Sequence, residues 1–288
     1  MTAEILRYTA FAAGDPGGNP AGVVLDANGM SDQEMLAVAA EVGFSETAFL
    51  FPAHPWQGEA DEPAPDRQAD VRYFSPLAEV AFCGHATIAA AVALAERHGA
   101  GNLELVTRSG PVPVVTRWDG PQVLATLTSV PPSTYPIPDE RLDHTLAALG
   151  WSRDVLDDAL PPRVAFAGAY HAILAVKSRE TLAGLDYDYE ALAPLMASQD
   201  WTTVQLVQRE SDEVFHARDP FPPGGVVEDP ATGAAAAALG GYLREMGLVP
   251  PSRRVSIHQG VDMGRPSLLL VDIPEQGGIR VSGSASRL

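Results

Sequence analysis

Cys83-Gly84-His85-Ala86-Thr87 and Glu228-Asp229-Pro230-Ala231-Thr232-Gly233 each open an alanine-rich stretch, residues 88–96 and 234–243, that is apolar around its whole circumference. A helix without a polar face is usually buried, and small Ala and Gly side chains let a surrounding sheet come close to its axis. Such a helix must still satisfy its first backbone N–H groups, and its N-terminus carries a partial positive charge. Two such starts, each entered through a Gly or Pro turn, suit a paired anion site. Two ordinary core helices with Gly/Pro entries would show the same residues.

An internal repeat separates these readings. An offset of 148 residues aligns Gly99 with Gly247 and Gly84-His85 with Thr232-Gly233. Val71-Arg72-Tyr73-Phe74 before the first helix answers Val214-Phe215-His216-Ala217-Arg218 before the second. Strand-like residues 103–110 and 111–117 answer 255–260 and 267–273. The period far exceeds the roughly 20–50 residues of solenoid repeats, so the pattern predicts two similar domains packed face to face, with both helix starts at one cleft.

Alternation of strands and helices runs through the rest of the chain. Residues 5–11, 21–25 and 46–51 read as strands, and residues 31–42 as a helix with Ser31 as N-cap and Glu34 three residues on, a capping box. The acidic, Pro-rich residues 53–70 read as a solvated loop. Residues 129–138, with four prolines, read as the interdomain linker. Residues 163–176 and 202–208 are strand-like with a helix over 187–197 between them, and residues 278–288 supply a last strand. The expected domains are 1–128, with 278–288 available to complete it, and 139–277.

Composition fits a soluble enzyme. The 288 residues are 46% hydrophobic, and no apolar run approaches the roughly 20 residues that span a bilayer. A net charge of −18 argues against nucleic acid or an anionic membrane as partner. One cysteine permits no intramolecular disulfide, which fits a reducing, cytoplasmic compartment. There is no P-loop, His-Glu-x-x-His, Gly-x-Ser-x-Gly or Cys-x-x-Cys motif. The histidines other than His85 lack metal-ligand spacing, and Lys177, the only lysine, reads as a solvated strand end.

Glu46 stands between Phe44 and Ala48-Phe49-Leu50, with Ser45 and Thr47 beside it. A carboxylate partly desolvated there has a raised pKa suited to proton transfer near neutrality; a strand-edge Glu facing solvent is the plainer alternative. Asp229 precedes a helix start, where a carboxylate is stabilised by the dipole by about 0.3–1 kcal/mol.

Six segments occur in order: Gly18-Asn19-Pro20-Ala21-Gly22-Val23-Val24, Ser45-Glu46-Thr47-Ala48-Phe49, Arg72-Tyr73-Phe74-Ser75-Pro76, Cys83-Gly84-His85-Ala86-Thr87, Glu228-Asp229-Pro230-Ala231-Thr232-Gly233 and Gly264-Arg265-Pro266-Ser267. Together they resemble the phenazine-biosynthesis isomerase (PhzF-like) family, a relative of diaminopimelate epimerase, over nearly the whole chain. The resemblance implies an α+β fold of two pseudo-symmetric halves, each a curved mixed sheet wrapped around a central helix, with the active site between them. It implies a cofactor-independent isomerase of a small (amino) carboxylate, working as a homodimer without a metal. Glu46 is the implied general acid/base, with His85 and Asp229 as further catalytic groups. Asn19, Ser45, Gly84, Gly233 and Ala234 would line or hold the substrate.

Two departures bear on substrate. Diaminopimelate epimerase and proline racemase use two cysteines as paired bases, whereas Pro230 stands where the second would be, so a two-thiol mechanism is impossible and Cys83 reads as a small buried packing residue. The family commonly has Ser after the second Thr-Gly, and here it is Ala234. An epimerase or dehydratase at the same site, or a non-catalytic ligand-binding or interaction module on the same scaffold, are the alternative functions.

Overall fold

The computed structural model describes residues 3–60, 62–64, 66–250 and 252–288. Contacts divide the chain into two compact units, Met1–Thr128 with Ser282–Leu288, and Ser129–Val281.

The first unit is built from β1 (Leu6–Ala10), β2 (Asn19–Val24), α1 (Asp32–Val42), β3 (Glu46–Pro52), β4 (Arg67–Phe74), β5 (Glu79–Val80), α2 (Gly84–His98), β6 (Asn102–Thr107), β7 (Gly110–Asp119) and β8 (Gln122–Thr128). The second contains β9 (Ser133–Pro136), α3 (Asp139–Ala148), β10 (Arg163–Phe166), β11 (Tyr170–Ala175), α4 (Arg179–Ala183), α5 (Tyr189–Gln199), β12 (Trp201–Arg209), β13 (Val214–Pro220), β14 (Glu228–Asp229), α6 (Gly233–Glu245), β15 (Arg253–Gln259) and β16 (Ser267–Ile273). A last strand, β17 (Arg280–Arg287), belongs to the first unit from Ser282 onward.

In the first unit the pairing runs β1–β2–β3–β4–β6–β7–β8–β17 and back to β1, a closed barrel of eight strands. Closure leaves no free edge, and α2 fills the interior: every residue from His85 to Ala95 is buried. The alanine content is what permits this, because a helix bearing larger side chains would not fit inside so small a ring. Outside the barrel, α1 sets Met35 and Ala39 against Val24, Phe49 and Phe74. It begins with the expected capping box, in which the Glu34 N–H donates to Ser31 Oγ and the Ser31 N–H to Glu34 Oε2 at 2.8 Å.

The second unit repeats the pairing order. A parallel pair (β11–β12) follows an antiparallel one (β10–β11), as β2–β3 follows β1–β2. The next strand pairs antiparallel, to a two-residue strand before the central helix and, in parallel, to the strand after it. Leu142 and Leu146 of α3 and Leu192 and Met196 of α5 cover the sheet's other face over Val204 and Leu206.

Several local expectations change. Residues 67–70, expected in a loop, form the start of β4, where Arg67 to Asp70 pair in parallel with β6; residues 61 and 65 of that loop lie outside the described residues. The expected linker holds β9, whose Ser133 to Pro136 pair with β10. Prolines suit such a position because an edge strand needs no donor on its outer side. The segment 163–176 is two strands joined by a turn at Gly168, where φ is +114°.

The second central helix is enclosed so closely that two glycines replace alanine. A Cβ on Gly241 would lie 2.3 Å from Pro132 Cβ, and one on Gly240 2.8 Å from Ile279 Cγ2. Gly241→Ala gains about 1 kcal/mol of helix propensity, but forcing a methyl against a rigid ring costs about 1–3 kcal/mol. Urea unfolding should therefore show a net loss of stability for this variant; a gain would mean that the ring yields.

Candidate active site

Both central helices are entered in the same way. On β4, Arg72 grips Glu79 of β5 with a two-pronged contact (Nε to Oε1 2.8 Å, Nη2 to Oε2 2.6 Å). On β13, Arg218 grips Glu228 of β14 likewise (Nε to Oε1 3.0 Å, Nη2 to Oε2 2.6 Å). Each fork pins a two-residue strand to its neighbour immediately before the turn into the helix. Paired guanidinium and carboxylate groups of this geometry are strong and directional.

In the first unit the turn is fixed from inside. The buried Tyr73 hydroxyl lies 2.6 Å from Thr87 Oγ1, which donates to the Cys83 carbonyl at 2.7 Å. This sets Cys83 as N-cap and His85 in the first turn. Asn19, at the start of β2, donates from Nδ2 to His85 Nδ1 at 3.1 Å. That contact assigns the ring proton to Nε2, which faces Ser45 Oγ at 3.3 Å and Glu46 Oε2 at 3.4 Å. Glu46 is the first residue of β3, and β3 pairs with β2 from Ala21↔Glu46 onward. One pair of parallel strands and one helix start thus bring Glu46, His85, Asn19, Ser45 and Gly84 together.

Glu46 is largely enclosed, its side chain only 13% exposed. Burial pushes its carboxyl above the usual carboxylate range, against smaller opposing effects of the Ser45 hydroxyl and the Cys83 thiol. Cys83 is more than packing. Its thiol lies 3.6 Å from Glu46 Oε2 and 3.4 Å from His85 Nδ1, so it is a polar member of the cluster. Sequence spacing hid this because Glu46 arrives from another strand.

Asp229, Gly233 and Ala234 lie in the second unit, at the start of α6. Thr232 donates to Asp229 Oδ2 at 2.6 Å. Gln259, wholly buried on β15, accepts from the Thr232 N–H at 3.1 Å and donates to the Asp229 carbonyl at 2.8 Å. Gly233 is buried and Ala234 half-buried. Gln259 was missed, although a signal existed: Val255, Ile257 and Gln259 share one face of a strand, so a polar residue occupies an inward position.

Beneath this start lies a further buried set. Asp219, paired across β13–β14 with Asp229, accepts from Thr203 at 3.3 Å, and Thr203 lies 2.8 Å from His171 Nδ1. His171 is pushed down to about 3 by burial and is neutral. Burial and, secondarily, the charge of Asp229 hold the Asp219 carboxyl well above its ordinary value.

The phenazine biosynthesis-like family model matches residues 8–288. The chain belongs to that family. It is 31% identical over 280 residues to the trans-2,3-dihydro-3-hydroxyanthranilate isomerase of Pseudomonas aeruginosa, covering 95% of this chain and 91% of that protein. An uncharacterized isomerase of Bacillus subtilis is 30% identical over 299 residues, covering 98% and 96%. A solved structure called a predicted epimerase, from Pseudomonas aeruginosa, superposes with a TM-score of 0.83 at 26% identity over 100% of this chain and 97% of that one. A probable proline racemase from Agrobacterium radiobacter shares the fold, with a TM-score of 0.65 at 14% identity over 100% and 91%. These relatives place the chain among the isomerases and its fold in the epimerase-like α+β class. No helix among the described residues is long and apolar enough to cross a membrane.

The raised carboxyl of Asp219 has a measurable consequence. Below the ordinary value of about 3.9 both folded and unfolded chains hold this proton. As pH rises, the unfolded chain ionises first, so the fold loses stability until the folded-state value is passed. Asp219→Asn removes that loss. Its stability relative to the unsubstituted protein should rise as pH increases above about 4, as read from urea midpoints. A difference that stays flat would mean that Asp219 is ionised and satisfied in the fold.

Proposed function

We propose that this enzyme isomerises a small (amino) carboxylate by moving a proton on and off Glu46. The carrying observation is the enclosed carboxyl itself, raised by burial and touched by His85, Ser45 and Cys83. A carboxyl so held exchanges a proton near neutrality more readily than an exposed one. His85, whose Nε2–H faces Glu46 and Ser45, would steer the carboxyl and stabilise its charged form. Asp229 is proposed as the third catalytic group, with a part in binding a substrate amino group or relaying the proton. Gly84 and Gly233, both at helix starts, would present backbone N–H groups to the substrate carboxylate, and Asn19 and Ser45 would border it. The same reading takes the enzyme to be a cytoplasmic homodimer needing no cofactor.

The Pseudomonas aeruginosa relative is named for trans-2,3-dihydro-3-hydroxyanthranilate, an amino-cyclohexadiene carboxylate, and that compound is the first substrate to test. Ala234 bears on it. A hydroxyl donated to a charged group contributes about 1.5–3 kcal/mol, and alanine offers none. We expect weak turnover of this compound, improved by Ala234→Ser. Efficient turnover by the unsubstituted enzyme would show that another group replaces the hydroxyl.

Glu46→Gln should keep the fold and lower turnover by about 10²–10⁴-fold or more. Because burial raises the Glu46 carboxyl, its basic form is lost as pH falls through a value above the ordinary ~4.3. The acidic limb of kcat/KM should therefore lie above that value and vanish in the Gln variant. Unimpaired turnover by Glu46→Gln would remove the assignment. In D₂O, product labelled at one carbon on one face supports a single shuttling carboxyl, whereas label on both faces of that carbon indicates an epimerase.

A further inference from the structure

We infer that Glu46, Cys83 and His85 form a chelating site for a thiophilic divalent cation of the zinc class, and that occupancy shuts the enzyme off. The ligand atoms of these three residues lie within 4.8 Å of one another. The separations are 3.6 Å from Cys83 Sγ to Glu46 Oε2, 3.7 Å from Cys83 Sγ to His85 Nε2, and 3.4 Å from His85 Nε2 to Glu46 Oε2. Zinc takes sulfur at about 2.3 Å and imidazole nitrogen or carboxylate oxygen at about 2.0–2.2 Å, at tetrahedral angles. Those bond lengths set donor pairs roughly 3.3–3.6 Å apart. The three atoms therefore already outline one face of a zinc tetrahedron, with the fourth vertex left over.

The donor set selects the ion. A thiolate with an imidazole suits zinc and its soft neighbours, whereas magnesium and calcium demand oxygen throughout. Two of the donors need little ordering, because Cys83 and His85 are held at the start of a helix enclosed by the barrel, with Tyr73 and Thr87 locking the turn. Asn19 sits on the far ring nitrogen of His85. On binding, the ring proton moves from Nε2 to Nδ1 and the Asn19 amide turns to accept it through Oδ1, the kind of outer partner that orients a metal-bound imidazole. Binding releases the thiol proton and any proton on Glu46, so affinity should grow with pH. Two anionic ligands against a dication leave a neutral cluster, which limits the cost of burying it.

The inhibitory part rests on the proposed role of Glu46: a carboxylate bound to a cation cannot accept a substrate proton. The metal part does not depend on that role.

The test uses the full chain, stripped with a chelator and titrated with cobalt(II) chloride. Expected are a thiolate-to-cobalt charge-transfer band in the near ultraviolet, intense visible bands of a tetrahedral ion, and loss of both on adding zinc chloride. Cys83→Ala should abolish the charge-transfer band and weaken zinc binding by at least about 10–100-fold, the loss seen even for outer-shell partners; His85→Gln should weaken binding as much. Circular dichroism confirms that each variant is folded. Absence of the charge-transfer band, or zinc binding unchanged in folded Cys83→Ala, would overturn the site. Zinc should inhibit turnover of trans-2,3-dihydro-3-hydroxyanthranilate over the same concentrations that displace cobalt, and a chelator should restore it. Cobalt bound through Cys83 with turnover intact would overturn Glu46 as the base while leaving the metal site standing.

Discussion

A helix with no polar face cannot stand against water, and most of this architecture follows from enclosing two of them. In the first unit the answer is a closed ring of eight strands around α2. In the second, a sheet with the same order of pairings holds α6, with glycine where even alanine is too large. Enclosure leaves such a helix only its two ends at which to meet polar groups, and the N-terminus is the end that attracts anions. Its first N–H groups need partners there, and its dipole favours negative charge. Polar chemistry therefore collects at both starts for the same physical reason.

The two starts share a backbone device but not their chemistry. Each is preceded by a short strand held by an arginine–glutamate fork, Arg72 with Glu79 and Arg218 with Glu228. Removing one partner of such a pair costs about 3–5 kcal/mol when it is buried, so the forks hold the entry angle of each helix firmly. On that common base the first unit sets a carboxyl, a thiol and an imidazole in mutual contact. The second sets two aspartates, threonines and a glutamine into a buried network. Beyond the forks, the two clusters hold different side chains, which is how a duplicated scaffold comes to present unlike groups.

Periodicity and composition made the frame legible. The all-round apolar helices, the offset that joins Gly99 to Gly247, and the Ser31 capping box could each be read because their signals are local. What escaped depended on pairing between distant segments. Residues 67–70 look like an acidic loop until β6 is there to receive them, and the prolines of 129–138 look like a linker until β10 lies alongside. Cys83 looked like filler because nothing near it in sequence is Glu46. Gln259 and Asp219 carried a weak signal, a polar residue at an inward strand position, but only the fold shows what each one meets.

The final strand carries a consequence for how the molecule is made. Ser282 onward completes the first unit, with Arg287 opposite Tyr8 and Ala285 opposite Ala10. A ribosome emits β1 to β8 early and β17 only after the entire second unit. Domains generally form in the order in which they emerge, yet here the earlier one waits as an open, seven-stranded sheet while the later one is completed. During that interval its two unpaired edges, β1 and β8, are exposed to other chains. The nascent protein is therefore most prone to aggregation late in synthesis, in the half that was made first.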